Sequence, residues 1–225
     1  MPQRGDIASA RMKMQGCLLS TILPAGVMAG LDTVKDCMRD DTLRAFLGHA
    51  LLHEIMPSMG LGKEVLEPLA IQICEEMEQP SVAQPLALLL PNAVRAWADQ
   101  SLPLLLSYQN REDAVPPCLC MGLSTLIMLF SGARRDGDGR FTFLKNGETC
   151  YFSEDEEILL SFSRLSCDMP PESLSYAVLS DRAIWEKDLR DVPGLEDRVA
   201  SQLRDLQLLG LMEALDRAAH EKNEQ

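Results

Sequence analysis

Residues 118–130 read CLCMGLSTLIMLF, an uncharged stretch that follows Pro116 and Pro117 and stops at Gly132. These thirteen residues are too few to cross a bilayer, which takes about 20 apolar residues in helical form. With Gly122 inside it, the stretch reads as a buried core helix. Such a helix needs neighbours that cover it on every side. The composition supplies them: 46% of the 225 residues are hydrophobic and only 5% are aromatic. A core built mainly of Leu, Ala, Met and Val favours packed helices over a sandwich, because strands draw on aromatic and β-branched residues. The length suits one large domain or two small ones, and no stretch reads as a linker.

Upstream, apolar residues recur at helical spacing. Pro24 is expected to start a helix carrying Val27, Met28, Leu31 and Val34. Asp40 and Asp41 end that helix and cap the next, which shows Leu43, Phe46, Leu47, Ala50, Leu51 and Ile55 and stops at Pro57 and Gly60. Another helix is expected from Lys63 to Gln79, with Pro68 limiting where its first turn can lie. Pro80 and Pro85 begin a short apolar helix ending near Leu90. Asn92 is placed to cap the helix that bears Val94 and Trp97, and Pro103 opens or kinks its continuation.

Downstream the pattern changes. GARRDGDGR (132–140) reads as a polar, glycine-rich loop. FTFLKNGETCYF (141–152) alternates on both sides of Asn146-Gly147, the strongest short-range hairpin signal. A two-stranded hairpin is expected there, lying on the helical body because alone it would be marginal. Helices resume at Ser153, where Ser153 and Glu156 have capping-box spacing. A short helix runs from Pro171 through Leu179. One long helix after Pro193-Gly194 is expected to carry Leu195 through Leu215.

The net charge of −13 argues against nucleic acid and against an anionic membrane surface, since both need a basic face. Seven scattered cysteines read as reduced thiols of a cytoplasmic protein. The N-terminus shows no apolar signal-peptide core.

Two stretches resemble a known family. TILPAGVMAGLDTVKDCMRDDTLRAFLGHALLHEIMPSM (21–59) is similar to the first helices of the C-terminal domain of the polyol-specific long-chain dehydrogenases. These carry a proline-alanine-glycine turn into "AGLDTV" and a later helix ending in "EEIxP". VLSDRAIWEKDLRDVPGLEDRVASQL (178–203) resembles a motif near the C-terminus of tagaturonate reductases. Between them, the spacing from Gln79-Pro80 to Asn92 to Pro103 fits the family's "NP…LN…LP" helix pair. The resemblance covers roughly residues 11–215. It fits the tagaturonate reductase (altronate oxidoreductase) branch best, with mannitol and fructuronate enzymes next.

The resemblance implies an all-α, multi-helix bundle like the C-terminal domain of 6-phosphogluconate-dehydrogenase-like enzymes, with one small hairpin near 141–152. It implies an N-terminal segment 1–10, a helical domain 11–219 and a frayed tail 220–225. In the family an N-terminal Rossmann domain holds NAD, and no metal is used. A lysine is the general base, while an asparagine and a histidine polarise the carbonyl oxygen. Hydride leaves a carbinol only as its proton is removed, and the developing oxyanion needs donors.

This chain departs from that set. No G-x-G-x-x-G follows a strand, so no cofactor is expected on the chain alone, with NAD the cofactor in the family. Counting back from Pro24, the lysine position falls on Arg11, the asparagine position on Gly16 and the histidine position on Leu19. Sliding by one puts Leu18 at the histidine. Sliding by two, with Lys13 as base, still brings no asparagine or histidine into place. Arginine is a poor base because its pKa exceeds about 12. The basic residues that hold sugar-acid groups fall on Ala96 and Ala98, and only Asn92 matches as a substrate contact. The expectation is a substrate domain inactive alone. The alternatives are a non-catalytic binding or interaction protein, and a half-enzyme completed by a separate Rossmann-domain chain. A sugar acid or polyol is the expected ligand, and a homodimer or heteromer the expected assembly.

Other motifs offer weaker signals. His49 and His53 stand i, i+4, as metal-binding histidines often do. H-E-x-x-H is absent despite Glu54, and the sequence shows no third ligand, so ordinary surface or interface histidines are expected and no metal. Cys118 and Cys120 are two apart and face different directions, which opposes a redox pair. Asp136 and Asp138 hint at a calcium loop, but Arg140 and Gly147 stand where further acidic ligands belong, so a solvated loop is expected. His220 lies in the tail, and no G-x-S-x-G supports a hydrolase.

Overall fold

The computed structural model of the chain describes residues 4–79 and 84–221. Its thirteen α-helices are α1 (Arg4–Met28), α2 (Val34–Arg39), α3 (Asp41–His49), α4 (Lys63–Glu78), α5 (Leu86–Leu89), α6 (Ala93–Gln100), α7 (Leu102–Glu112), α8 (Pro117–Ser131), α9 (Glu156–Ser163), α10 (Pro171–Leu179), α11 (Arg182–Trp185), α12 (Leu195–Leu209) and α13 (Leu211–His220). A π-helical turn (Ala50–Ile55) and a 3₁₀ turn (Met56–Ser58) extend α3. Strands β1 (Arg134–Arg135), β2 (Phe141–Lys145) and β3 (Glu148–Tyr151) form the small sheet. The mostly helical class with a hairpin at 141–152 is the one the sequence implied. No helix is long and apolar enough to cross a membrane among the described residues.

Helix α8 is the centre. All of its residues except Met128 are buried, and α1, α9, α12 and α13 pack around it. Gly122 is the point of closest approach to α1: a Cβ there would lie 2.8 Å from the Thr21 methyl and 3.2 Å from Thr21 Cα. A second face of α1 packs on α6, where Trp97 is fully buried edge-on to Trp185 at 5.7 Å.

The hairpin forms as its sequence demands. Asn146 (φ 52°) and Gly147 (φ 83°) both take the left-handed conformation that a two-residue turn of this kind needs. It has three antiparallel strands in the order β1-β2-β3, because Arg134 and Arg135 pair with Thr142 and Phe141. The loop beginning at Gly132 therefore contributes a strand that the sequence did not suggest. The sheet lies on the body through Phe143, Phe152 and Phe130, with ring centroids 4.3–4.5 Å apart. Its turn is clamped to the end of α1: Asn146 Nδ2 donates to the Gly30 carbonyl at 2.9 Å, and Lys145 pairs with Asp32 at 2.6 Å.

Several helix ends differ from expectation. Pro24 does not start a helix but lies inside α1, which runs unbroken from Arg4 and so crosses residues 10–11. A proline there removes one main-chain donor, and burial on α8 and α6 outweighs that loss. Pro68 likewise sits in the second turn of α4. Thr33 and Asp36 make a reciprocal capping box at α2, and Asp40 caps α3 by accepting from Leu43 N at 3.0 Å. The capping box expected at Ser153 is absent: Asp155 caps α9, accepting from Glu157 N at 3.1 Å. Glu154 turns away and accepts from Val94 N at 2.8 Å, which caps α6. Asn92 does occupy the N-cap of α6, but with φ 58° and no side-chain cap bond. The single long last helix is divided at Gly210, whose φ 84°, ψ 172° only glycine adopts readily. Pro80 and the end of the tail lie outside the described residues.

Candidate functional site

A groove of about 850 Å³ lies between the first half of α1 and the face of α6 that carries Ala96, Asp99 and Gln100. Leu19, Leu23, Leu89 and Met12 give it an apolar floor and rim. Ser9, Gln15, Ser20 and Gln100 supply hydrogen-bonding groups. Among its lining residues only Lys13 and Asp99 are charged, and none is a histidine.

The positions singled out in the sequence divide at this groove. Gly16 and Leu19 line it, as does Ala96. Gly16 is occupied from the opposite side: a Cβ there would collide with the Gln100 carboxamide. Arg11 does not line the groove. It is half-buried, and its guanidinium donates to Glu76 of α4. Lys13 does reach the groove, two residues along the same helix. Leu18 is buried in the core. Neither Asn92 nor Ala98 lines the groove. Asn92 is exposed at the α6 N-terminus, and its own N–H donates to Ser153 O at 2.7 Å.

Beneath the groove floor, Ser20 and Ser101 hydroxyls meet at 2.8 Å, with Thr21 3.3 Å and Cys17 3.4 Å from Ser101. Burial pushes the Cys17 thiol up to about 12, so this cysteine is a packed neutral group rather than a nucleophile. No signal in the sequence marked this cluster, because Ser101 is 80 or more residues from the other three.

The remaining sequence candidates separate cleanly. Asp136 Oδ1 accepts from the main chain of Asp138 at 3.0 Å and of Arg140 at 2.8 Å, and the Arg140 guanidinium pairs with both carboxylates. Arginine thus neutralises the acidic loop, as befits a solvated turn. All seven cysteines are free. His49 and His53 have ring centroids 4.5 Å apart. The third donor that the sequence did not reveal is present in space, because Glu54 and Cys118 lie beside His49.

Comparison with known proteins defines the class first. The fold matches D-sorbitol dehydrogenase in its substrate-free form, with a TM-score of 0.74 at 14% identity over 96% of this chain and 41% of that one. It matches equally the Pseudomonas fluorescens mannitol 2-dehydrogenase ternary complex with NAD and D-mannitol, with TM-score 0.74 and 12% identity over 94% and 41%. The fold is therefore one shared with part of each of these two dehydrogenases. In sequence, the particular likeness is to altronate oxidoreductases. Those of Klebsiella pneumoniae and Escherichia coli are each 29% identical over 201 residues, or 87% of this chain. The resemblance read from residues 21–59 and 178–203 is the one these relatives bear out. The chain spans about two-fifths of their length, 39%. No family model matches the chain.

Proposed function

We propose that this chain is a relative of the altronate oxidoreductase substrate domain that holds a sugar acid or polyol in the α1–α6 groove without hydride transfer of its own. The observation that carries the reading is the division at the groove. The altronate oxidoreductase-like frame keeps its cleft, while Gly16 and Leu19 stand on its wall and Arg11 is tied to Glu76 outside it. A base, an amide and an imidazole facing one carbinol are what the chemistry requires. Glycine, leucine and an ion-paired arginine supply none of them. Binding remains chemically reasonable. Lys13 offers a cation for a carboxylate, and Gln15, Gln100 and Ser9 offer partners for hydroxyls.

The test is direct. Incubated with NAD(H) and altronate, tagaturonate, mannitol or fructose, the isolated chain gives no absorbance change at the nicotinamide band. Calorimetry with altronate gives binding that K13A weakens. Turnover by the isolated chain overturns the silent reading, and absence of altronate binding overturns the ligand.

A second reading rests on the exposed apolar rim of the groove. Here a separate NAD-binding chain packs on the groove, where Met12 is 73% exposed, and a cytoplasmic heteromer carries the activity. Mixing with the N-terminal domain of an altronate oxidoreductase separates the two readings. Complex formation without turnover supports the silent partner, and turnover supports the split enzyme.

A further inference from the structure

Where α3 runs into α8, three donors of different chemistry converge. The ligand atoms of His49, Glu54 and Cys118 all lie within 4.8 Å of one another. Glu54 and Cys118 are fully buried, and half-buried His49 opens the cluster to solvent. The π-helical turn at 50–55 makes this possible. In an α-helix, residues five apart point about 140° away from each other, at 3.6 residues per turn. The wider turn brings Glu54 round to the side of His49, and π-turns often mark functional sites.

Glu54 is the only fully buried charged side chain among the described residues. Its Oε1 accepts from Cys118 N at 2.7 Å and its Oε2 from Leu119 N at 2.8 Å. The Cys118 side chain also bonds this carboxylate, and no ion pair to Glu54 occurs among the described residues. A buried carboxylate without a cation is costly.

We propose that His49, Glu54 and Cys118 bind a zinc ion, with the fourth position filled by water or by His53. Sulfur, imidazole and carboxylate are the donors zinc takes, at about 2.0–2.3 Å. Tetrahedral bonds of that length place ligands about 3.3–3.8 Å apart, so small rotamer adjustments close the present separations. Calcium and magnesium are disfavoured, because they need a shell of oxygens. Binding forms a Zn–S bond as the Cys118 thiol proton passes to solvent, so affinity rises with pH. The ion joins α3, the π-turn and the first turn of α8, and none of its ligands lines the groove.

The experiment is titration of the full chain with zinc chloride, and with cobalt(II) as a spectroscopic probe. One equivalent binds, cobalt shows a thiolate charge-transfer band, and calorimetry in two buffers shows proton release. C118S loses the band and weakens zinc by about a hundredfold or more, the scale on which even outer-shell changes act. H49A weakens zinc similarly, while C120S and H220A leave binding unchanged. Zinc binding by C118S equal to the parent overturns the proposal, because it shows chelation by surface histidines alone. No binding by the folded parent also overturns it. Should C118S fail to fold, C120S decides: retention of the band supports Cys118 as the ligand, and its loss overturns it.

Discussion

The α1–α6 groove and the donor cluster at the start of α8 share one helical frame and hold opposite kinds of residue. The groove wall carries Gly16, Leu19 and Ala96, none of which can donate or take a proton through its side chain. At the α8 end, a histidine, a carboxylate and a thiol meet with two of the three fully buried. Gly16, Leu19 and Ala96 are each only partly buried. Glu54 instead satisfies two main-chain donors that a helix N-terminus would otherwise leave unpaired in the core. Reactive groups at an open surface can therefore be exchanged at small cost to the fold. A buried polar group that completes a helix end cannot.

The sharpest way to break that comparison is E54A. It strips Cys118 N and Leu119 N of their acceptors and is expected to cost about 3 kcal/mol, the scale of buried bonds to a charged group. Urea denaturation measures it, and ligand binding in the groove should survive in the folded fraction. Next is G122A in the α1–α8 seam that supports both regions. Alanine gains about 1 kcal/mol of helix propensity, but overpacking against Thr21 costs about 1–3 kcal/mol. A net loss of about 1 kcal/mol is expected in the same assay. The smallest effect belongs to R11A, which removes a partly exposed ion pair with Glu76 and should change stability by less than about 1 kcal/mol. An R11A loss as large as that of E54A would erase the contrast.

Much of the fold was legible because punctuation and periodicity agreed. Asp40, Pro117, Gly132, Asn146-Gly147 and Pro171 all mark real element ends. The misread ends share one cause: a tertiary partner overrode a local signal. Pro24 is carried through α1 by packing on two helices. Ser153 and Glu156 had the spacing of a capping box, yet Glu154 serves a helix 60 residues earlier. Gly210 lies inside the stretch expected to be one helix and breaks it. Gly16 and Leu19 could be counted back from Pro24 because all three lie on α1. The donor cluster could not. His49 and Glu54 meet only through a π-turn that periodicity assumes away, and Cys118 arrives 64 residues later.

The seam at Gly122 also bears on how the chain is made. Thr21 and Gly122 are about a hundred residues apart, and a ribosome adding about 5–20 residues per second separates their synthesis by roughly 5–20 s. For most of that interval α1 has neither of its main covering surfaces, since α6 begins only at Ala93 and α8 at Pro117. Its apolar sides are then open to chaperones and to other nascent chains. The sequence of α1 carries three basic residues, Arg4, Arg11 and Lys13, against one acidic, Asp6, in a chain that is strongly acidic elsewhere. The waiting helix is thus charged to be drawn toward the chain that follows it, and the last helices to emerge, α12 and α13, close over α8 from the far side.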